Sequence, residues 1–220
     1  MKKTIRIKSV SLTCLYLISL LSIQSAMAIS DSNKWQLVKN DQGIQVFVTE
    51  SDHSDIVKAK SSIEVNNSLS SVQALLDNVD TRHKWIPYLK KSQLIKYESD
   101  NESLEYSLFA APWPASDRDF VYRLRLTSSS ESRKVYKMSS EVSELMPVSS
   151  DAIRAVLFES IYTLTVIDEN RTRIELTFHA DLKGWIPTWI VNMVQQALPF
   201  KTLKNLKSEL IKQENKSVKF

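Results

Sequence analysis

Residues 179–210 read HADLKGWIPTWIVNMVQQALPFKTLKNLKSEL. His179 to Asp181 still alternate like the end of a strand. Gly184 breaks the pattern, and Pro187 stands where a helix begins, because its missing N–H is an orphan at that position anyway. Beyond it the period changes. Trp189, Met193, Ala197, Phe200, Leu203, Leu206 and Leu210 recur every three or four residues, which winds them onto one apolar stripe, while Lys201, Lys204, Lys207 and Glu209 fall mostly elsewhere. Such a stripe needs a surface to lie on. One helix from Pro187 to Ile211 would run about 37 Å at about 1.5 Å per residue, enough to cross a small domain. Pro199 cannot donate a backbone hydrogen bond, so a kink or break is expected near Gln195 to Leu198.

The chain upstream supplies the surface. A short segment from Trp35 leads to a turn at Asp41 to Gly43 and a strand on which Ile44, Val46 and Val48 alternate with other residues, followed by a second strand from Val57 to Val65. Asn67 or Ser68 can cap a helix in which Val72, Leu75, Leu76 and Val79 have helical spacing, ending near Asp80. Pro87 keeps the aromatic connection Trp85 to Tyr88 out of regular structure. From Ser92 the pattern is β, with strands expected at Ser92 to Glu98, Ser103 to Phe109, Phe120 to Thr127, Lys134 to Val142, Ile153 to Ile167 and Thr172 to Ala180. The connections are short, so neighbouring strands must run antiparallel. The sum is an α+β helix-grip: a curved antiparallel sheet of seven to nine strands wrapped around a long C-terminal helix. A curved sheet encloses more space than one helix fills, and such a space is where ligands bind.

The first 28 residues are of another kind. Lys2, Lys3, Arg6 and Lys8 precede an apolar run from Val10 to Ile23, and Ala26-Met27-Ala28 gives a small-x-small cleavage site, the layout of a secretory signal peptide. The run is about 14 residues, short of the roughly 20 needed to span a bilayer. Cys14 lies inside the run rather than at its end, which argues against a lipoprotein anchor. Cleavage would leave residues 29–220 as one domain, periplasmic or secreted. The full sequence has 29 Lys and Arg against 25 Asp and Glu, but four of the basic residues lie in the first 28, so the remainder is formally neutral. A nucleic-acid partner is therefore not expected, since phosphate binding calls for a basic excess. Lys201, Lys204 and Lys207 suit transient contact with an anionic membrane surface. With Cys14 removed no thiol remains for disulfides, metal ligation or nucleophilic attack.

Two motifs carry a resemblance. Pro112-Trp113-Pro114-Ala115-Ser116-Asp117-Arg118-Asp119-Phe120-Val121-Tyr122 resembles the PWP-x-x-x-RDFVY stretch of START lipid-transfer domains. His179-Ala180-Asp181 followed by Gly184-Trp185-Ile186-Pro187-Thr188-Trp189-Ile190-Val191-Asn192-Met193 is similar to that family's junction between last strand and C-terminal helix. The resemblance covers Trp35 to Leu210 and points to the bacterial, exported branch. It implies a helix-grip fold whose tunnel holds one lipid or other apolar molecule, with the C-terminal helix and a neighbouring loop as lid. Phosphatidylcholine-binding members carry an Arg and, four residues on, an acid. Here Arg82 is followed by Ile86, which argues against phosphocholine recognition. Lys183 stands where the family places a second glycine before the Trp.

Candidate cavity residues follow from the apolar faces. They are Trp85, Tyr88, Tyr106, Phe109, Tyr122, Met138, Phe158 and Tyr162, although residues of these types more often simply fill a core. Trp189 and Met193 are expected near the mouth, on the helix stripe. Arg82 is a candidate for an anionic head group, against the commoner outcome of an exposed Arg at a helix end. Arg118 and Asp119 are neighbours at a strand start, so at most one faces the cavity; Arg118 is the candidate, against a structural ion pair or loop cap. His53, His83 and His179 have no second ligand at metal spacing, and His179 reads as a solvent-facing structural residue. There is no Gly-rich phosphate loop and no G-x-S-x-G elbow, so no cofactor, metal or catalytic residue is expected. The reading is a monomeric lipid-binding or lipid-shuttling protein. Its rival is a cyclase- or hydrolase-type enzyme on the same scaffold, and a further one is an envelope factor that binds protein partners.

Overall fold

Ten strands and two α-helices form among the described residues of a computed structural model, which are 35–51, 54–142, 144–148, 150–187, 190–191, 194 and 197–217. The expected signal peptide, His53, Trp189 and Met193 lie outside them. The strands are β1 (Gln36–Asp41), β2 (Ile44–Ser51), β3 (Ser54–Val65), β4 (Leu89–Ser99), β5 (Glu102–Phe109), β6 (Asp117–Ser129), β7 (Arg133–Ser140), β8 (Ala152–Arg154), β9 (Val156–Asp168) and β10 (Arg171–Asp181). Helix α1 spans Leu69–Asp77, a 3-10 helix spans Val79–Lys84, and α2 spans Leu198–Ser217. The strands make one curved sheet in the order β1-β2-β3-β10-β9-β7-β6-β5-β4. Its pairs are antiparallel except for β8, which lies parallel to the start of β6.

Local chemistry sets these boundaries. Gln42 and Gly43 both have positive φ, 55° and 76°, which gives a two-residue hairpin loop whose twist matches the strands on either side. The Ser68 hydroxyl accepts from Ser71 N and starts α1; the Asn78 side chain accepts from Thr81 N and starts the 3-10 helix. The expected helix to Asp80 is thus two helices with a break at Asn78.

Two further expectations are corrected. The strand expected from Ile153 to Ile167 is interrupted at Ala155, whose N–H leaves its own ladder to donate to Asp119 O at 2.9 Å. With β1 and β8 counted, the sheet exceeds the seven to nine strands expected. Helical turns do start at Pro187, whose carbonyl accepts from Ile190 N at 2.9 Å and Val191 N at 3.4 Å, while the continuous helix α2 runs from Leu198 with Pro199 in its first turn; part of the break expected at Gln195 to Leu198 lies outside the described residues. Before it, Ile190 and Val191 are helical, while Val194 and Ala197 have the wider π winding that often accommodates a break.

The core is asymmetric. Phe200, Leu203, Leu206 and Leu210 of α2 are buried against β2, β3 and β10, where Ile44, Val46, Ile63, Val65 and Ile174 meet them. A second cluster, with Phe120, Tyr122, Leu157 and Ala180 at its centre, lines the β6, β9 and β10 ends beyond the reach of α2. A third lies on the opposite face of β5 and β6, where Leu104, Tyr106 and Val121 are covered by Ile95, Leu108 and Met146.

Candidate functional site

Between the sheet and the start of the C-terminal helix the side chains leave a void of about 1270 Å³ including its mouth. Within it about 150 Å³ can hold the centre of a water-sized sphere. A single water needs only about 10–15 Å³ on that measure, so this is a chamber and not a packing defect. Its walls are mostly apolar. Leu124, Met138, Leu157, Leu176 and Phe178 come from the sheet, Leu76 and Ile86 from the α1 side, and Leu182, Ile190, Val194 and Leu198 from the C-terminal junction.

Of the candidates read from the sequence, Arg82, Trp85, Tyr88, Phe109, Arg118, Tyr122, Met138 and Tyr162 line this chamber. Tyr106 and Phe158 do not. On β5 the polar positions Glu105 and Ser107 share the inner face with Phe109, which turns Leu104, Tyr106 and Leu108 outward into the third cluster. Phe158 is the unpaired residue of a bulge on β9, between Leu157 and Glu159, which points it out, 41 % exposed, with its ring 4.6 Å from that of His179. Reasoning from sequence also missed Tyr136, Ser107, Ser160 and Thr202. Tyr136 was within reach: it stands two residues from Met138 on β7, hence on the same face.

The polar groups are concentrated at one wall. Arg82 is 5 % exposed and Glu105 2 %. Arg82 Nε and Nη2 donate to Leu76 O at 3.2 and 3.1 Å, closing the C-terminal end of α1. Nη1 pairs with Glu105 Oε2 and also donates to Tyr122 Oη at 3.3 Å, while Ser103 Oγ donates to Glu105 Oε1 at 2.9 Å. Burial opposes the Arg82 charge, but Tyr122 and Glu105 outweigh it and hold the guanidinium above its ordinary value. Tyr122 Oη shares a hydrogen bond with Ser107 Oγ at 3.0 Å, and burial, reinforced by Glu105, pushes its pKa up to about 12. Burial likewise raises Tyr136 and Tyr162. Trp85 Nε1 is buried with no acceptor among the described residues, at a cost of about 1–3 kcal/mol.

At the other end Arg118, 4 % exposed, faces inward and Asp119 outward, where Arg154 grips its two oxygens at 2.8 and 3.0 Å. Arg118 bonds carbonyls instead of an acid: Ser116 O, Leu182 O at 3.2 Å, Lys183 O at 3.1 Å and Trp185 O at 3.4 Å. It ties the loop before β6 to the loop before the helix. Burial lowers its pKa from the ordinary value, with Asp117 opposing. Gly184 in the second loop has φ +66°, and a Cβ there would meet Ile153 Cδ1 at 2.8 Å. Lys183 beside it is also left-handed, φ 51°. His179, expected to face solvent, is on the outer side of the sheet but only 3 % exposed, with Nε2 3.0 Å from Ile56 O.

Known proteins share this arrangement. The chain is 27 % identical to mouse phosphatidylcholine transfer protein over 166 residues, 72 % of this chain and 75 % of that one. A STAR-related lipid transfer protein fragment from Xanthomonas axonopodis superposes with a TM-score of 0.70 at 28 % identity, covering 80 % of this chain and 98 % of that one. Human STARD10 has the same fold, with a TM-score of 0.75 at 22 % identity over 84 % of this chain and 76 % of that one. The START domain family model matches residues 16–216, and the chain belongs to that family.

Proposed function

We propose that the chain is a lipid carrier of the periplasm, or a secreted one. As a monomer it encloses one lipid or other apolar small molecule in its chamber and exchanges it at a membrane surface, without altering it. The observation that carries this reading is the chamber itself, walled by aliphatic and aromatic side chains from the sheet, the α1 side and the C-terminal junction. Each buried CH₂ contributes about 0.8 kcal/mol, so ten methylenes supply about 8 kcal/mol toward the cost of opening and ordering. The names of the relatives, lipid transfer proteins, agree with it. Export is supported by the signal-peptide pattern of residues 1–28.

Membrane contact has its own support. Trp113 and Trp185 are 89 % and 70 % exposed on the two loops that Arg118 joins, beside Pro112 and Leu182 of the chamber wall. Exposed indoles at a chamber mouth suit the bilayer interface, and exposed Lys204 is available to anionic head groups, with Lys201 beside it held by Tyr88 Oη at 2.7 Å. A carrier rather than a catalyst is favoured because Asp119 and His179, the residues an enzyme reading would place inside the chamber, lie outside its lining, held by Arg154 and beside Ile56 O. Native mass spectrometry of protein purified from the periplasm should show a one-to-one adduct of lipid mass. A clean apo mass, with no uptake from labelled vesicles, would rule the carrier out.

A further inference from the structure

The inner wall of the chamber holds a cation that has nothing left to give. A guanidinium has five N–H donors. In Arg82 the Nε hydrogen goes to Leu76 O, one Nη2 hydrogen to Leu76 O and the other to Glu105 Oε1 at 3.5 Å, and the Nη1 hydrogens to Glu105 Oε2 and Tyr122 Oη. Its charge is matched by Glu105, which is as deeply buried. A phosphate or carboxylate brought here would find no free donor on Arg82 and a carboxylate immediately behind the guanidinium. An anion desolvated without a counter-charge is costly, so the wall disfavours one.

The same wall has unspent polar hydrogens of another kind. Tyr162 is 6 % exposed and lines the chamber, and its hydroxyl makes no hydrogen bond to a described residue. Its ring meets the Trp85 ring edge-on, centroids 6.4 Å apart, and Trp85 Nε1 is buried without an acceptor among the described residues, as is Tyr136 Oη on the same lining. Tyr162 Oη and Trp85 Nε1 can both donate to an uncharged oxygen, and neither can neutralise an anion. The second cation in the lining, Arg118, stands at the mouth with its guanidinium on backbone carbonyls of the two loops.

We infer that the chamber is selective for an uncharged lipid bearing a hydroxyl or carbonyl oxygen, which enters oxygen-first and hydrogen-bonds Tyr162, and that it rejects phospholipids and ionised fatty acids. This rests on the carrier reading above, and the test separates the two.

The full chain, exported and delipidated, is titrated at pH 8 with probes sharing one C18 chain with a cis double bond at its middle: oleyl alcohol, methyl oleate, cis-9-octadecene and oleate. Vesicles of dioleoyl phosphatidylglycerol and of dioleoyl phosphatidylcholine complete the set, and bound probe is counted by native mass spectrometry. Oleyl alcohol and methyl oleate should bind about tenfold more tightly than octadecene and more tightly still than oleate, with no phospholipid adduct. Tyr162→Phe should remove the preference over octadecene while leaving the apo melting temperature unchanged or higher, because the lost hydroxyl has no partner among the described residues. Glu105→Gln should admit oleate by freeing the Arg82 charge, a gain that loss of folding cannot mimic. Oleate or phospholipid bound as well as the alcohol, or a Tyr162→Phe protein that keeps the preference, would overturn the selectivity and leave the carrier standing. Binding of no probe at all would overturn the carrier itself.

Discussion

Leu203 and Leu206 of α2 are fully buried against β2, β3 and β10, whereas Tyr122, Met138 and Tyr162, farther along the same sheet, border empty space. Both halves are built from alternating strands, so the strands themselves do not account for the difference. What differs is the cover. Over the first half lies a regular helix with a continuous apolar stripe; over the second lie the described residues of 184–197, left-handed at Gly184, helical at Ile190 and Val191 and π-wound at Val194 and Ala197. The packed half is held by dispersion and burial. The open half adds hydrogen bonds to its wall, through Arg82, Glu105, Tyr122 and Ser107.

The sharpest way to break that contrast is to open the polar wall. Arg82→Gln leaves Glu105 charged and unpaired in the interior and should cost about 3–5 kcal/mol in urea unfolding. Replacing both partners, Arg82→Met with Glu105→Leu, should recover most of the loss, because the cost lies in the orphaned charge. A single-variant loss below about 1 kcal/mol would mean that the pair is solvated and the wall is not built as described.

The packed half should answer to cavities. Leu203→Ala, in a site with no exposure, should cost about 2–5 kcal/mol. Leu124→Ala, whose side chain already borders the chamber, should cost about 1 kcal/mol, since it widens an existing void with fewer lost contacts. Equal losses, measured by the same denaturant titration, would show that the two halves are packed alike.

How much of this the sequence exposed depends on which half is read. The stripe Phe200, Leu203, Leu206 and Leu210 and the alternation in β2, β3 and β10 obey one local rule each, and both led to the helix-grip. The open half breaks the rules. On β5 the polar Glu105 and Ser107 point inward and Tyr106 outward, because Arg82, 23 residues earlier, supplies the partner that makes a buried Glu tolerable. No local pattern reports a partner at that distance. The bulge at Phe158 and the break at Ala155 likewise depend on β10 and β6, which are remote in sequence. Arg82 at a helix end reads as exposed until those strands close over it. The inward choice between Arg118 and Asp119 turns on Arg154, again a long-range partner.

The two neighbouring left-handed residues at the junction of the halves allow the finest test. Gly184→Ala adds a Cβ at φ +66°, 2.8 Å from Ile153 Cδ1. The strained backbone and the contact together should cost about 1–2 kcal/mol. Lys183→Gly works the other way on the backbone, because φ 51° is unstrained for glycine. Against that relief stand the greater entropy of the unfolded chain and the loss of the half-exposed pair between Lys183 Nζ and Asp181 Oδ2 at 2.6 Å, worth about 0–1 kcal/mol. These nearly cancel, so its melting temperature should move by only a degree or two. The readout is therefore kinetic. If this junction is the hinge that lets the irregular cover open, Lys183→Gly should speed lipid release severalfold at unchanged stability, measured as transfer between labelled vesicles. An unchanged rate would place the opening elsewhere, at the contact between Lys201 Nζ and Tyr88 Oη, 2.7 Å apart, which joins α2 to the opposite rim.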